Sequence, residues 1–339
     1  MRWSIIILMS LSLACSKKEP AAPAESEQAA DTETPAAATP AKPVVELAKE
    51  LEGETPADGA PPALNVLERG QEPRQALRWN IKPGFEQKVS VKVGFSIDAI
   101  VAVLRVGDAE YVVSCELTMR AKKVEDDGTV RVAFAVDQAN TRKGTLWDNP
   151  RGNRLKLALA TTRKVTGSYR LGPRGAISDF KMNVPSDANR SGHDMADNLR
   201  LALIQMTPTF PKEPLGQGAQ WTVHESVDQG GIRVNQLTTM EIVKTEGTRV
   251  ELAVNVQQSS APQPFQNPGT ALTLALLSSN GMASGSLGWD LTELAPHAAN
   301  IEASVTKIIR QDPKDPTDPK QKPVEMIVKA DRSAKVPEK

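Results

Sequence analysis

From about Ala76 to the C-terminus, apolar side chains recur at every second position. Val89, Val91 and Val93 alternate with Lys88, Ser90 and Lys92, the period of a strand with one buried face. The habit returns at Leu155, Leu157 and Leu159 in RLKLALATTRKV, and again in ELAVNVQQ, ALTLALLSS and IEASVTKIIR. AKKVEDDGTVRVAFAV reads as a hairpin, because Asp127-Gly128 supplies the backbone angles of a tight turn. Asn280-Gly281 carries the same turn signal, and residues 299–310 and 324–336 read as a terminal hairpin around a charged loop.

One segment breaks this period. SGHDMADNLRLALIQM places Met195, Leu199, Ala202, Leu203 and Met206 on one helical face. Ser191 followed by Asp194 has the spacing of a capping box, and Thr207-Pro208 ends the run. The expected fold is mainly β (α+β): a strongly curved antiparallel sheet, or open half-barrel, packed on one central helix near residues 191–206. A faint internal echo accompanies it. KPGFEQKVSV around Gly84 parallels GQGAQWTVHE around Gly218, and GPRGAISDFKMNVP parallels SGSLGWDLTELAP. The echo reads as two related sheet halves flanking the helix.

The N-terminus follows different rules. MRWSIIILMSLSLAC has Arg2, an apolar run from Ile5 to Leu13 and a small residue before Cys15, the order of a signal peptide over residues 1–14. Residues 15–75 form an Ala/Pro/Glu tether with six basic and twelve acidic side chains, about −6. Burial cannot offset the ordering entropy of such a stretch, so a disordered linker with a reach of ~40–45 Å is expected. Of the 41 basic and 41 acidic residues in the chain, residues 76–339 keep 34 and 29, about +5. With no gross basic surplus in the chain no nucleic-acid partner is expected, while the mild excess over residues 76–339 suits an anionic lipid or polysaccharide.

Chemistry-bearing motifs are sparse. His193, His224 and His297 stand apart, with no H-x-E, H-x-x-x-H or C-x-x-C spacing, so no metal or other cofactor is expected. Ser284 and Ser286 do not form a nucleophile elbow. Cys115, in the strand-like YVVSCEL, reads as a buried thiol. Asp312, Asp315 and Asp318 in DPKDPTDP are each followed by Pro, which favours an extended loop over a calcium site. Trp79, Trp147, Trp221 and Trp289 have apolar, strand-patterned neighbours and read as core or half-buried.

LSLAC followed by SKKEP resembles the bacterial lipoprotein signal, in which the cysteine thiol receives a diacylglyceryl group and becomes the new N-terminus. Ser12 stands where that pattern wants Leu, with Leu11 and Leu13 beside it. In the same pattern Ser16, not being Asp, favours the outer membrane. LGQGAQW and GSLGWDL are similar to segments of uncharacterised bacterial envelope lipoproteins, which combine a signal, an Ala/Pro-rich tether and a β-rich domain of unknown function. The architecture also resembles the lipoprotein-carrier class, whose members hold acyl chains in an open half-barrel. These resemblances imply a protein anchored to the cell envelope through palmitate or a like acyl group on Cys15. Its expected role is non-enzymatic, with lipid or another apolar guest between sheet and helix, lined by Met195, Leu199, Leu203 and Met206. The alternative is an interaction or scaffold module that meets another envelope protein or a polysaccharide.

Acyl chains contribute about 0.8 kcal/mol per buried methylene, and two or more give a durable anchor. Cys15→Ala is therefore expected to abolish palmitate labelling in growing bacteria and to leave the chain outside the lipidated membrane fraction.

Overall fold

The computed structural model describes residues 61–101, 104–141, 150–229, 231–266, 273–313 and 322–338. All lie within one compact unit, Glu54–Lys339. The signal peptide, Cys15, most of the tether, Trp147, Asp315 and Asp318 fall outside the described residues. The first half of the fold comprises β1 (Ala63–Glu68), β2 (Glu86–Val101), β3 (Leu104–Val124), β4 (Val130–Thr141), α1 (Pro150–Thr162), β5 (Thr166–Leu171) and β6 (Ile177–Asn183). After α2 (Arg190–Gln205) come β7 (Gln220–Asp228), β8 (Arg233–Glu246), β9 (Arg249–Ser260) and β10 (Gln263–Gln266). β11 (Thr273–Asp290), β12 (Ala298–Gln311) and β13 (Val324–Val336) complete the chain.

The strands form one antiparallel sheet in the order β1-β7-β8-β9-β11-β12-β13-β2-β3-β4-β5-β6, with β10 beside β11. The fold is mainly β, and the sheet is open: β1 and β6 are its edges. Period-two patterning sorts the faces as the sequence implies. On β3, Val113, Cys115, Leu117, Met119 and Ala121 are buried, while Val112, Glu116 and Arg120 are exposed. The Asp127-Gly128 turn joins β3 to β4 with Gly128 at φ 83°, and β12 pairs with β13 over its whole length.

A five-strand meander occurs twice, as β2-β3-β4-β5-β6 and as β7-β8-β9-β11-β12. Each copy has a further strand on its outer side, β13 against β2 and β1 against β7. The entry is the same in both. Gly84 and Gly218 take φ of 76° and 78°, a region glycine enters without steric cost. Their amides donate to Ala121 O and Ile242 O, whose own amides donate back to Phe85 O and Ala219 O. The Gly84/Gly218 half of the echo is therefore structural. The other half is not: GPRGA forms the β5–β6 turn, whereas SGSLGWD runs within β11.

Four expectations are corrected. RLKLALATTRKV is not a strand but belongs to α1. In a helix Ala158, Leu159 and Thr162 share a face and are buried, leaving Leu157 60% exposed on the other side. The sheet is thus accompanied by two helices rather than one, with Gly192 of α2 facing Thr161 of α1. α2 is capped not by Ser191 but by Asn189, whose Oδ1 accepts from Gly192 N at 2.9 Å. Asn280-Gly281 makes no turn; Gly281 lies inside β11 between Gln258 and Val305. A Cβ there would meet Val305 Cγ2 at 2.9 Å, so the glycine serves close strand packing.

The tether also ends earlier than residue 75. β1 pairs with β7, Gln71 N donates to Gln217 O at 2.8 Å, and Gln75 bridges Leu215. As a six-residue edge strand, β1 turns only Leu64 and Val66 toward the core and leaves its other side chains exposed, too short an alternation to mark it in the sequence.

α2 leaves β6 at one end of the sheet and leads to β7 near the other, so its exit segment ties the two ends together. Phe210 N donates to Arg174 O in the β5–β6 turn, while the Trp221 indole on β7 donates to Thr209 O. Trp289 on β11 donates to Met206 O at 2.8 Å. Phe210 packs 5.9 Å from Trp221 and 6.3 Å from Trp79, and Trp79 meets Trp289 edge-on at 4.6 Å. The three described tryptophans are all core residues, at 5%, 0% and 2% exposure for Trp79, Trp221 and Trp289. No described helix is long and apolar enough to cross a membrane.

Two of these indoles differ in one respect. Trp289 Nε1 holds a buried carbonyl, whereas Trp79 Nε1 is buried with no hydrogen-bond partner among the described residues. Trp289→Phe orphans Met206 O and is expected to cost about 2 kcal/mol, while Trp79→Phe removes an unsatisfied donor and should cost under about 1 kcal/mol. Urea unfolding of the two variants beside the parent checks the difference.

Candidate functional site

The helical face expected to line a pocket is part of the main core. Met195, Leu199, Leu203 and Met206 are 6%, 1%, 6% and 1% exposed and join strand residues from both halves of the sheet. Leu203 and Met206 also border a crevice with Val89, Val91, Met119, Tyr169, Trp289 and Ala295; Met195 and Leu199 do not. Its free volume is about 10 Å³, room for about one water. As packed, the helix C-terminal end holds side chains rather than a guest.

Further along the strands the inner face changes character. β7, β8, β9, β11, β12 and β13 each carry a polar residue there, in two short registered runs and one outlying cation. Glu225 pairs with Gln236, Gln236 with Gln258, Ser260 with Ser279, and Ser279 with Lys307. Arg332 follows on β13, opposite Ala303 of β12. This polar row divides the inner face in two. On one side lies the main core, with Val223, Met240, Val256 and Ile301. On the other lies a second apolar cluster of Ile232, Val234, Leu274, Leu276 and Ile309, with Met326 and Val328 packed against it.

One end of the row is satisfied by amides. Gln258 Nε2 donates to Gln236 Oε1 at 2.6 Å, and Gln236 Nε2 donates to Glu225 Oε1 at 2.9 Å. Burial pushes the Glu225 carboxyl above the ordinary range, and the Gln236 hydrogen bond only partly opposes it. The other end is cationic. Burial and the neighbouring Arg332 press the Lys307 ammonium down to about 8. Burial also lowers Arg332, against the pull of Asp197 on α2. Asp197 itself pairs with Arg200 at 3.6 Å. Among the described residues neither Lys307 nor Arg332 makes a hydrogen bond or an ion pair through its side chain. The sequence signal for the row was a polar residue at an inward period-two position, such as Lys307 between Val305 and Ile309. It becomes a row only once six strands are in register.

The remaining candidates are dispersed. His193 is exposed on α2, His224 is hydrogen-bonded to Asn235 Oδ1 on the opposite face of the sheet, and His297 packs over Gly288. Ser284 and Ser286 are exposed on β11. Cys115 is buried, its thiol pushed up to about 12 by desolvation, which makes it inert as a nucleophile. The described residues hold no group of three or more acidic, His or Cys side chains placed to bind a metal ion.

Because folding raises the Glu225 pKa, stability is lost as pH climbs from the ordinary carboxylate range through the raised one. Glu225→Gln keeps an acceptor for Gln236 and removes the charge. It is expected to raise Tm by roughly 2 °C at neutral pH and to have no effect in acid, where the parent is protonated too; thermal melts across that range check it. No family model and no curated protein matches the chain.

Proposed function

We propose that this chain is an envelope lipoprotein, held to the outer membrane through an acyl group on Cys15, whose folded part is a non-catalytic binder of an apolar or amphiphilic ligand. The observation that carries the reading is the inner face of the sheet. Two apolar clusters share one face with a polar row between them, a surface suited to a molecule with both greasy and polar parts. The openness of the sheet supports it, as an open half-barrel gives such a molecule a way in beside α2. The guest is placed along the row and the second cluster, since the crevice at Leu203 and Met206 is close-packed.

The second reading, a scaffold module that adds a partner strand to an edge, finds support in the two free edges. Both edges are blunted, however. β1 has only six residues, and β6 is bent by a register shift opposite Ser168–Arg170, with Asp179 at φ 51°. Ligand binding on the inner face is the better account.

The test is native mass spectrometry of the full chain purified from membranes in mild detergent, followed by solvent extraction and lipid analysis. An adduct of lipid mass, extractable and displaced by a fluorescent fatty acid, is the expected result. A bare protein that fails to take up the probe would sink the reading.

A further inference from the structure

We infer that Lys307 and Arg332 form an anion-recognition site on the inner face of the sheet, taking the carboxylate or phosphate head of an acyl-chain amphiphile. The inference rests on the ligand-binding reading above and names the chemistry of the ligand. Both cations occupy inward-facing positions: Lys307 alternates with Val305 and Ile309, and Arg332 with Ala334 and Ala330. A cation withdrawn from water without a counter-charge is costly, and two side by side more so. Neither has an ion-pair partner among the described residues, and Asp197, the one acid acting on Arg332, is already engaged by Arg200. A third group points the same way. The Ser260 hydroxyl, two strands from Lys307 through Ser279, is buried with no hydrogen-bond partner. Two unpaired cations and one unused hydroxyl are the donors an anionic oxygen cluster requires.

The apolar half of the ligand follows from what flanks the donors. Beyond Lys307 the same face becomes the second apolar cluster, with Leu276, Ile309 and Val328 adjacent in register. Arg332 stands two inward positions along β13 from Val328, the partner of Lys307, and the small Ala330 lies between them on that strand, so the two long cationic side chains can converge on one group. A head at the cations and a chain along the second cluster satisfies both surfaces at once; a neutral lipid would leave the charges unpaired.

The test uses the full chain carrying Cys15→Ala, in detergent-free buffer, with dodecanoate, dodecanol and inorganic phosphate as probes. Dodecanoate is expected to bind at least about tenfold tighter than dodecanol. Lys307→Met and Arg332→Met should each weaken dodecanoate by about tenfold and leave dodecanol unchanged, while Arg332→Lys retains most of the binding. Circular dichroism confirms that each variant is folded, and the charge-preserving variant carries the test if a Met variant is not. Equal binding of dodecanoate and dodecanol, unaffected by the Met variants, overturns the anion site and leaves the ligand-binding reading standing. Binding of neither overturns both. Phosphate binding as tight as dodecanoate keeps the anion site and removes the acyl chain. Displacement of dodecanoate by an acidic peptide of residues 19–34 would assign the cations to the chain's own tether and overturn the inference.

Discussion

The segment that leaves α2 is gripped by two indole nitrogens, Trp221 on Thr209 O and Trp289 on Met206 O. Its Phe210 lies between Trp79 and Trp221. This joint links the two ends of the sheet. Strand pairing alone would leave β6 and β7 ten neighbours apart along the sheet order, with nothing to bring them together. The backbone link from Phe210 to Arg174 at the β5–β6 turn closes the circuit through side chains rather than through a ladder. A wide antiparallel sheet thereby gains a main core drawn from both of its halves without becoming a barrel, and its inner face becomes a place distinct from its outer one.

The duplicated meander sets how that inner face is composed. Both copies begin with a glycine-opened strand and the same reciprocal pair of backbone bonds. They diverge where sequence has been inserted: α1 lies between β4 and β5, and β10 between β9 and β11. The first copy is mostly apolar along its described inner positions, with Gln87 as an exception whose Oε1 accepts from the Leu294 and Ala295 amides. The second, with β13, carries the polar row from Glu225 to Arg332. The two halves thus share a frame and differ in what they present, and the proposed ligand chemistry belongs to the second copy together with β13, the strand between the two.

Much of the frame was legible in the alternation of Val and Lys on β2, the Asp-Gly turn, the terminal hairpin and the helical spacing of α2. Two segments departed from their local signals for different reasons. Leu155, Leu157 and Leu159 are spaced for a strand, yet every fourth residue is also a helical neighbour, and the short Ala-rich stretch satisfies both periods. Asn280-Gly281 has turn chemistry, but strand register on both sides outweighs a dipeptide preference. β1 was hidden because edge strands need little apolar patterning. The candidate site was legible only as isolated inward-facing polar residues. Lys307 and Arg332 lie on different strands, and no spacing along the chain announces that they meet. The proposed anchor at Cys15, by contrast, rests on the sequence alone.

β13 holds the last residues of the chain and lies mid-sheet, hydrogen-bonded to β12 on one side and to β2 on the other. During synthesis, therefore, β2 emerges early and waits for its outer neighbour until β3 to β12 have all been made. Contacts of such long sequence separation slow folding and lengthen the time for which an unpaired strand is available to other chains. A premature stop ahead of β13 would split the sheet at its middle rather than trim its end. The nascent molecule is dependent on a late strand, and a cell making it has reason to keep the unfinished chain shielded until that strand arrives.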